Sequence, residues 1–443
     1  MTTGPWTDPA PATVRARVPG PVSLRAQWFH ERIASSLWFT PLLFVVGAVL
    51  VSRGLAWVDQ AHPATRRTPF LLGIDPNDGA VLTSTVATAM LTFIAVVFST
   101  TLVAVQVAAS QYSPRIVRLF VRSRVTHVTL GIFLATFVFA LNALIVSHSG
   151  GRSFVPVRTL VSVYLMVLVT LATFVVFVHS MVRMLRVQYL LSTVTELTRP
   201  VLRHEFPGEQ DYRTVPGPPD GPSSLLRCPP GTSGVVQSVD LEGIAALATS
   251  CDCWIDLQVR VGQYLGEGTP MAKIYGSGVS INAERLLEHV LCGGERTFLQ
   301  DPGFGIRQLA DAAIRALSPA VNDPTTACQA VDRITDLLAS ITPTPDPSGW
   351  YVGAGDTVRV RRHDPTFADL CDLGFTEIIR YGADAPQVSR RLLASFALLE
   401  DLASDDHVAV LRALRQTLEY SAVEESSQPF RDTGSRPDPL GLG

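Results

Sequence analysis

The chain has 443 residues, of which 47% are apolar and only 17% charged, and its formal net charge is −3. That length allows two or three domains, and an apolar share near half with so little charge is high for a soluble protein. A charge balance so close to neutral gives no footing for nucleic acid as a partner.

Residues 1–32 are rich in proline and arginine and lack the apolar core of a cleavable signal, so the first apolar segment is expected to stay as an anchor. Four charge-free windows follow: Ile33 to Ser52, Gly79 to Pro114, Val125 to Gly151 and Thr159 to Val182. Each can cross a bilayer as a helix, because roughly 20 residues at about 1.5 Å rise span about 30 Å of hydrocarbon. The expected membrane domain, with its stalk, covers residues 33–205. No Asp, Glu, Lys or Arg lies within a window, which argues against a proton relay or an ion-coupled transporter.

Arginines set the expected orientation. Arg15, Arg17, Arg25 and Arg32 precede the first window; Arg115, Arg118, Arg122 and Arg124 separate the second from the third; Arg183 and Arg186 follow the fourth. The positive-inside bias then puts both termini in the cytoplasm of a bacterial inner membrane. In "SPRIVRLFVRSR", Arg115, Arg118 and Arg122 are candidates for lipid-phosphate contact at the inner interface. Lysine occurs once, at Lys273, and so strong a preference for arginine reads as a GC-rich coding signature.

The second window carries a polar stripe. Thr85, Thr88, Thr92, Ser99 and Gln106 recur in steps near one or two helical turns. Such a stripe either packs helices closely or lines a hydrated path, and these residues are the candidate pore lining. Asn142, in the third window, needs a partner inside the bundle.

Beyond the fourth window, "RMLRVQYLLSTVTELTRP" keeps helical periodicity up to Pro200, where the helix is expected to stop. Residues 206–231, with "PGPPDGPSS" and "CPPG", read as a linker. Residues 232–280 read as a small β module: "VVQSVD", "WIDLQV" and "PMAKIY" alternate apolar and polar around one helix. The spacing of its glycines is similar to the second half of a biotinyl or lipoyl carrier sandwich. Lys273 lies one strand too early to be a carrier lysine, so no cofactor is expected.

Residues 281–425 read as a helical cytoplasmic domain, with helices over Ala283 to Leu291, Phe304 to Leu317, Pro324 to Ile341, Thr366 to Tyr381, Ala385 to Ser404 and His407 to Glu424. "WYVGAGDTVRVRRHD" interrupts them as a strand pair, and 426–443 lacks periodicity and reads as a disordered tail. Asp323-Pro324, Asp364-Pro365 and Asp301-Pro302 each read as a capping aspartate before a first-turn proline. A polar set surrounds the first of them: Arg296, Gln300, Asp301, Arg307, Asp311, Asn322 and Thr325 form either a small-ligand pocket or an interhelical network or subunit contact. The six cysteines all fall in the cytoplasmic half, where thiols stay reduced, and "CDC" at Cys251 to Cys253 lacks a second pair at zinc spacing. No motif supplies a nucleophile with its base, a metal site or a phosphate loop.

Three stretches carry a family resemblance: "VLTSTVATAMLTFIAVVFSTTLVAVQVAASQYSPRIVRLF", "RTFLQDPGFGIRQLADAAIRALSPAVNDPTTA" and "YGADAPQVSRRLL". From about Ser35 to Leu411 the chain resembles the bacterial membrane proteins of domain of unknown function family twenty-two fifty-four. The resemblance implies a multispanning inner-membrane protein with a large cytoplasmic region, and no activity. The residues themselves point to an α-helical membrane protein with four transmembrane helices and a cytoplasmic α+β region, a small β sandwich plus a helical domain. Its expected partners are the bilayer, further copies of itself and an unidentified small ligand. An oligomeric pore regulated by the cytoplasmic domain is the leading reading; a ligand sensor, or an enzyme at the inner leaflet, is the alternative.

Overall fold

The computed structural model describes residues 39–61, 76–111, 124–149, 157–184, 186–206, 223–276, 281–352 and 358–425. These divide into a β unit, 196–305 with 340–367, and a helical unit holding the rest.

In the helical unit, four helices are long and apolar enough to cross a membrane: α1 (Phe39–Ala61), α2 (Pro76–Gln111), α3 (Arg124–Ser149) and α4 (Val157–Met184). α3 is the most buried and packs against the other three. The interior is filled by aromatic and small residues. Phe93, Phe133 and Phe174 meet at centroid distances of 5.4 to 6.4 Å, beside Val97, Phe177 and Met181. Phe139, Ala48, Ala135 and Ala143 fill the other half. Gly131 lets α1 approach, since a Cβ there would stand 2.8 Å from Cδ2 of Phe44.

α1 does not end with its charge-free window. It runs on through Arg53 and Asp59 to Ala61, so the helix carries acidic and basic residues beyond its window. Charge marks where hydrocarbon suitability ends, whereas a helix continues as long as its backbone bonds and ends are satisfied. Asp59, only 2% exposed, caps another helix: it accepts from the N–H of Thr159 at 3.0 Å and its hydroxyl at 2.8 Å, at the start of α4.

α5 (Val187–Glu205) passes through Pro200 instead of stopping there. Proline costs an N–H bond and crowds the carbonyl one turn back, though its φ suits a helix, and buried Val201 and Leu202 offset that cost by packing the final turn. The helical unit is completed by α8 (Pro302–Ala316, from Ile306 on), α9 (Pro324–Ala339), α10 (Phe367–Cys371), a π turn (Asp372–Thr376), α11 (Glu377–Tyr381), α12 (Pro386–Leu402) and α13 (Asp405–Glu425). α12 packs against both α9 and α13, with Phe375 edge-on to Phe396 at 5.2 Å.

The β unit contains β1 (Ser223–Arg227), β2 (Gly234–Val239), β3 (Trp254–Leu257), β4 (Tyr264–Leu265), β5 (Pro270–Tyr275), β6 (Val290–Gly293), β7 (Trp350–Val352) and β8 (Val358–Arg361), with α6 (Leu241–Ser250) and α7 (Ala283–Leu287). One sheet has the order β1-β5-β3-β8-β7 and the other β4-β2-β6. A single core joins both sheets and α6, from Val236 and Leu265 to Ile255, Met271, Val360 and Ile244. The segment read as linker thus contributes β1, and the late hairpin joins the same sheet through parallel pairing of β3 with β8. The helix expected to reach Leu291 ends at Leu287, because Val290 to Gly293 pairs with β2 instead.

Candidate functional sites

The polar stripe of α2 lies on the outside of the four-helix bundle. Thr85, Thr88, Thr92, Ser99 and Gln106 are all exposed, while Thr83, Ala87, Met90, Val97 and Ala104 form the buried face. The threonine hydroxyls are satisfied within the helix: Thr85 donates to Val81 O at 2.8 Å, Thr88 to Ser84 O at 2.9 Å and Thr92 to Thr88 O at 3.3 Å. Exposed apolar residues stand among them on α2, including Leu91, Val96, Phe98, Leu102 and Val103, and α1 and α4 expose Leu42, Leu43, Val46 and Leu50 on one and Leu165, Leu168, Val169 and Val175 on the other. Arg115, Arg118 and Arg122 lie outside the described residues.

The polar set after the spans separates into two. In the β unit, Arg296 grips Asp301 with two bonds, Nε to Oδ2 at 2.7 Å and Nη2 to Oδ1 at 2.8 Å, and sits 5.6 Å from the Phe304 ring centroid. Asp301 also accepts from the Phe304 N–H at 3.0 Å, capping α8 as its Asp-Pro pattern predicts. Gln300 binds both backbone groups of Val239, accepting from its N–H at 2.9 Å and donating to its carbonyl at 3.2 Å. These groups are matched to one another and to the backbone, which is how a fastening looks.

In the helical unit, Arg307 bonds Asp311 at 2.7 Å and also the carboxylate of Glu377. That hydrogen bond holds the Glu377 carboxyl below its ordinary value. Asn322 has φ of 46°, a left-handed corner that a short amide side chain tolerates. Asp323 then caps α9, accepting from the N–H of Thr326 at 3.1 Å. Thr325 is exposed on the first turn. The stretch is a corner between α8 and α9. The third Asp-Pro pattern works differently: Asp346, not Asp364, accepts from the Phe367 N–H at 2.6 Å where α10 begins.

Asp364 belongs to a cluster that spacing does not reveal. Arg362 pairs with Glu205, at the end of α5, and with Asp364, and all three side chains are nearly enclosed. Burial pushes the Glu205 carboxyl up, but its hydrogen bond to His204 and the charge of Arg362 outweigh that and hold it low. Burial raises Asp364 above its ordinary value. The density of charge in "RVRRHD" was a visible signal, but nothing local connects it to Glu205, 157 residues earlier.

No group of three or more metal-ligating side chains is assembled among the described residues. Burial pushes the thiols of Cys253 and Cys328 up to about 11, so they are inert at neutral pH.

No solved structure matches the chain. It is 30% identical over 376 residues to an uncharacterized protein of Mycobacterium tuberculosis strain H37Rv, Rv1290c, and equally to its Mycobacterium bovis counterpart Mb1321c. Both matches cover 83% of this chain and 71% of the relative. A model of the family described as "Predicted membrane protein (DUF2254)" matches residues 34–397, four-helix region and β unit included, and the chain belongs to that family of membrane proteins.

Proposed function

We propose that the protein is a homo-oligomer of a bacterial inner membrane in which the outer faces of α2 from several copies enclose a passive hydrated path. The observation that supports this reading is that α2 turns Thr85, Thr88, Thr92, Ser99 and the Gln106 amide outward, among exposed Leu91, Phe98, Leu102 and Val103, whereas the outer faces of α1 and α4 are mainly apolar. The aromatic filling of each bundle favours a path between copies over one within a single copy. Both termini are cytoplasmic in this reading, following the arginine placement. The β unit, read as a small sandwich without carrier function, and the helices after it regulate the path. Arg296, Asp301, Arg307 and Asp311, matched within the protein, serve as fastenings and give a soluble-ligand pocket no support.

Single cysteines test it in a background without native thiols. Cysteines at Thr88, Thr92 and Ser99 should be modified by a water-soluble thiol reagent, and one at Val97, buried in the bundle, should be protected. Thr92→Phe should reduce flux through proteoliposomes more than Val97→Phe. Unreactive stripe positions together with no flux would reduce the stripe to helix packing. Orientation is checked separately: from outside intact cells an impermeant reagent should reach a cysteine at Ser153 and not one at Ser123, and the reverse pattern would invert the topology.

A further inference from the structure

We propose that the outer face of the five-stranded sheet in the β unit is a second membrane-contact surface, one that settles on anionic lipid headgroups. The register builds this face. Directly paired residues project to the same side of a sheet, and pairing aligns Leu225, Lys273, Asp256, Arg361 and Trp350 in one row across all the strands. Trp254 and Tyr275 are paired in the next row. The opposite side sends Ile255, Ile274 and Val360 into the core.

Charge on this face is unbalanced. Asp256, opposite Lys273, is nearly buried, and its carboxylate is held by Gln258 at 2.8 Å and His363 at 3.1 Å. Lys273 is exposed and makes no ion pair among the described residues. The Arg361 guanidinium sits 5.2 Å from the Trp350 ring centroid, with no carboxylate paired to it among the described residues. Arg359 is cancelled by Asp252 at 2.8 Å. Lys273, Arg359 and Arg361 against Asp252 and Asp256 leave this face with a net charge of +1, and neither Lys273 nor Arg361 is ion-paired among the described residues; beside them stand two partly exposed tryptophans packed edge-to-face at 5.9 Å, a tyrosine and an exposed leucine.

That composition suits a headgroup layer, where amphipathic rings lie among glycerol and carbonyl groups and cations meet phosphates. The chain enters the β unit within one 19-residue helix, α5, which begins three positions after α4 ends. Weak contacts to the bilayer therefore act intramolecularly.

Lys273, the chain's single lysine, supplies the readout. The full chain is placed in lipid nanodiscs that are either wholly zwitterionic or about one-third anionic, and labelling of Lys273 by an amine-reactive ester is followed by mass spectrometry. Labelling should be several-fold slower in the anionic discs and should recover at high salt. Arg361→Gln should weaken the protection about fivefold, the worth of one basic side chain at an anionic surface, and Arg361→Lys should retain it. If Arg361→Gln misfolds, the salt titration of the unaltered chain decides. Equal labelling in both lipids overturns the proposal. Protection in zwitterionic discs by ATP or inorganic phosphate would overturn it in favour of a soluble anion, and protection that tracks copies per disc regardless of lipid charge would assign the face to a second copy.

Discussion

The four-helix bundle and the β unit differ in how far their polar groups reach for partners. In the bundle, hydroxyls turn back on their own helix: Thr101 donates to Val97 O at 2.7 Å and Thr173 to Val169 O at 2.7 Å, and even Thr136, which meets Thr170 across helices at 2.9 Å, also bonds Ile132 O. In the β unit, beside local pairs such as Arg296 with Asp301, partners far apart in sequence meet, as in Arg362 with Glu205, His363 with Asp256 and Gln300 with Val239. A helix bound for lipid cannot rely on water for unmatched groups, and a back-bonded threonine brings its acceptor with it. A unit outside the hydrocarbon can gather partners from anywhere, at the cost of depending on each of them. Exceptions in the bundle include Asp59, a long-range cap at the end of α1, and Arg158, which donates to Val58 O at 3.3 Å.

The strongest attempt to break this contrast is Arg362→Met. It leaves Glu205 and Asp364 enclosed without their cation and should lower stability by about 3 to 5 kcal/mol, read as a fall in thermal midpoint of the detergent-solubilised chain. A small effect would mean that the cluster is wetter than its burial indicates.

Asp59→Ala comes next. It strips an acceptor from the buried N–H and hydroxyl of Thr159 and should cost about 1 to 3 kcal/mol, whereas Asp59→Asn, which keeps an acceptor, should lose less. Denaturant-induced unfolding of the full chain in mixed micelles measures the difference. Equal losses would show that charge, not capping, is what matters there.

Asp323→Ala removes a local cap and should cost about 0.5 to 2 kcal/mol, with Asp323→Ser nearly neutral. The same thermal melts would rank it below the two long-range losses.

The smallest effect sharpens the contrast by its sign. Asp364 is raised in the fold, so its ionisation opposes folding once pH exceeds its ordinary unfolded value. Glu205 is lowered, so its ionisation supports folding, and that support is lost as pH falls through its folded value. Asp364→Asn should therefore leave stability at neutral pH unchanged or slightly higher, and Glu205→Gln should reduce it. Melts from about pH 4 to pH 7 should show the Glu205→Gln penalty shrinking toward acid. Penalties of the same sign for both changes would mean that the two carboxylates share the arginine equally.

Much of this molecule could be read directly from its residues, for a physical reason. Lipid compatibility is a property of about 20 consecutive side chains, so the windows located all four long helices, and Asp301 and Asp323 announced helix starts because a cap acts within three residues. Family membership followed from ordered motifs along one chain. Tertiary structure alone decided which way each face turned and which distant charges met. Periodicity showed that Thr85, Thr88 and Thr92 share a side of α2, but only packing against α3 turned that side outward. Strand Val290 to Gly293 passed for helix because a short apolar run fits either period until β2 claims it. The Arg296 and Arg307 groups, neighbours in sequence, were divided between two units, and Glu205 was joined to Arg362 across the whole β unit. Ion pairs of that kind leave no mark in local sequence, since their geometry is created by the fold that they then hold.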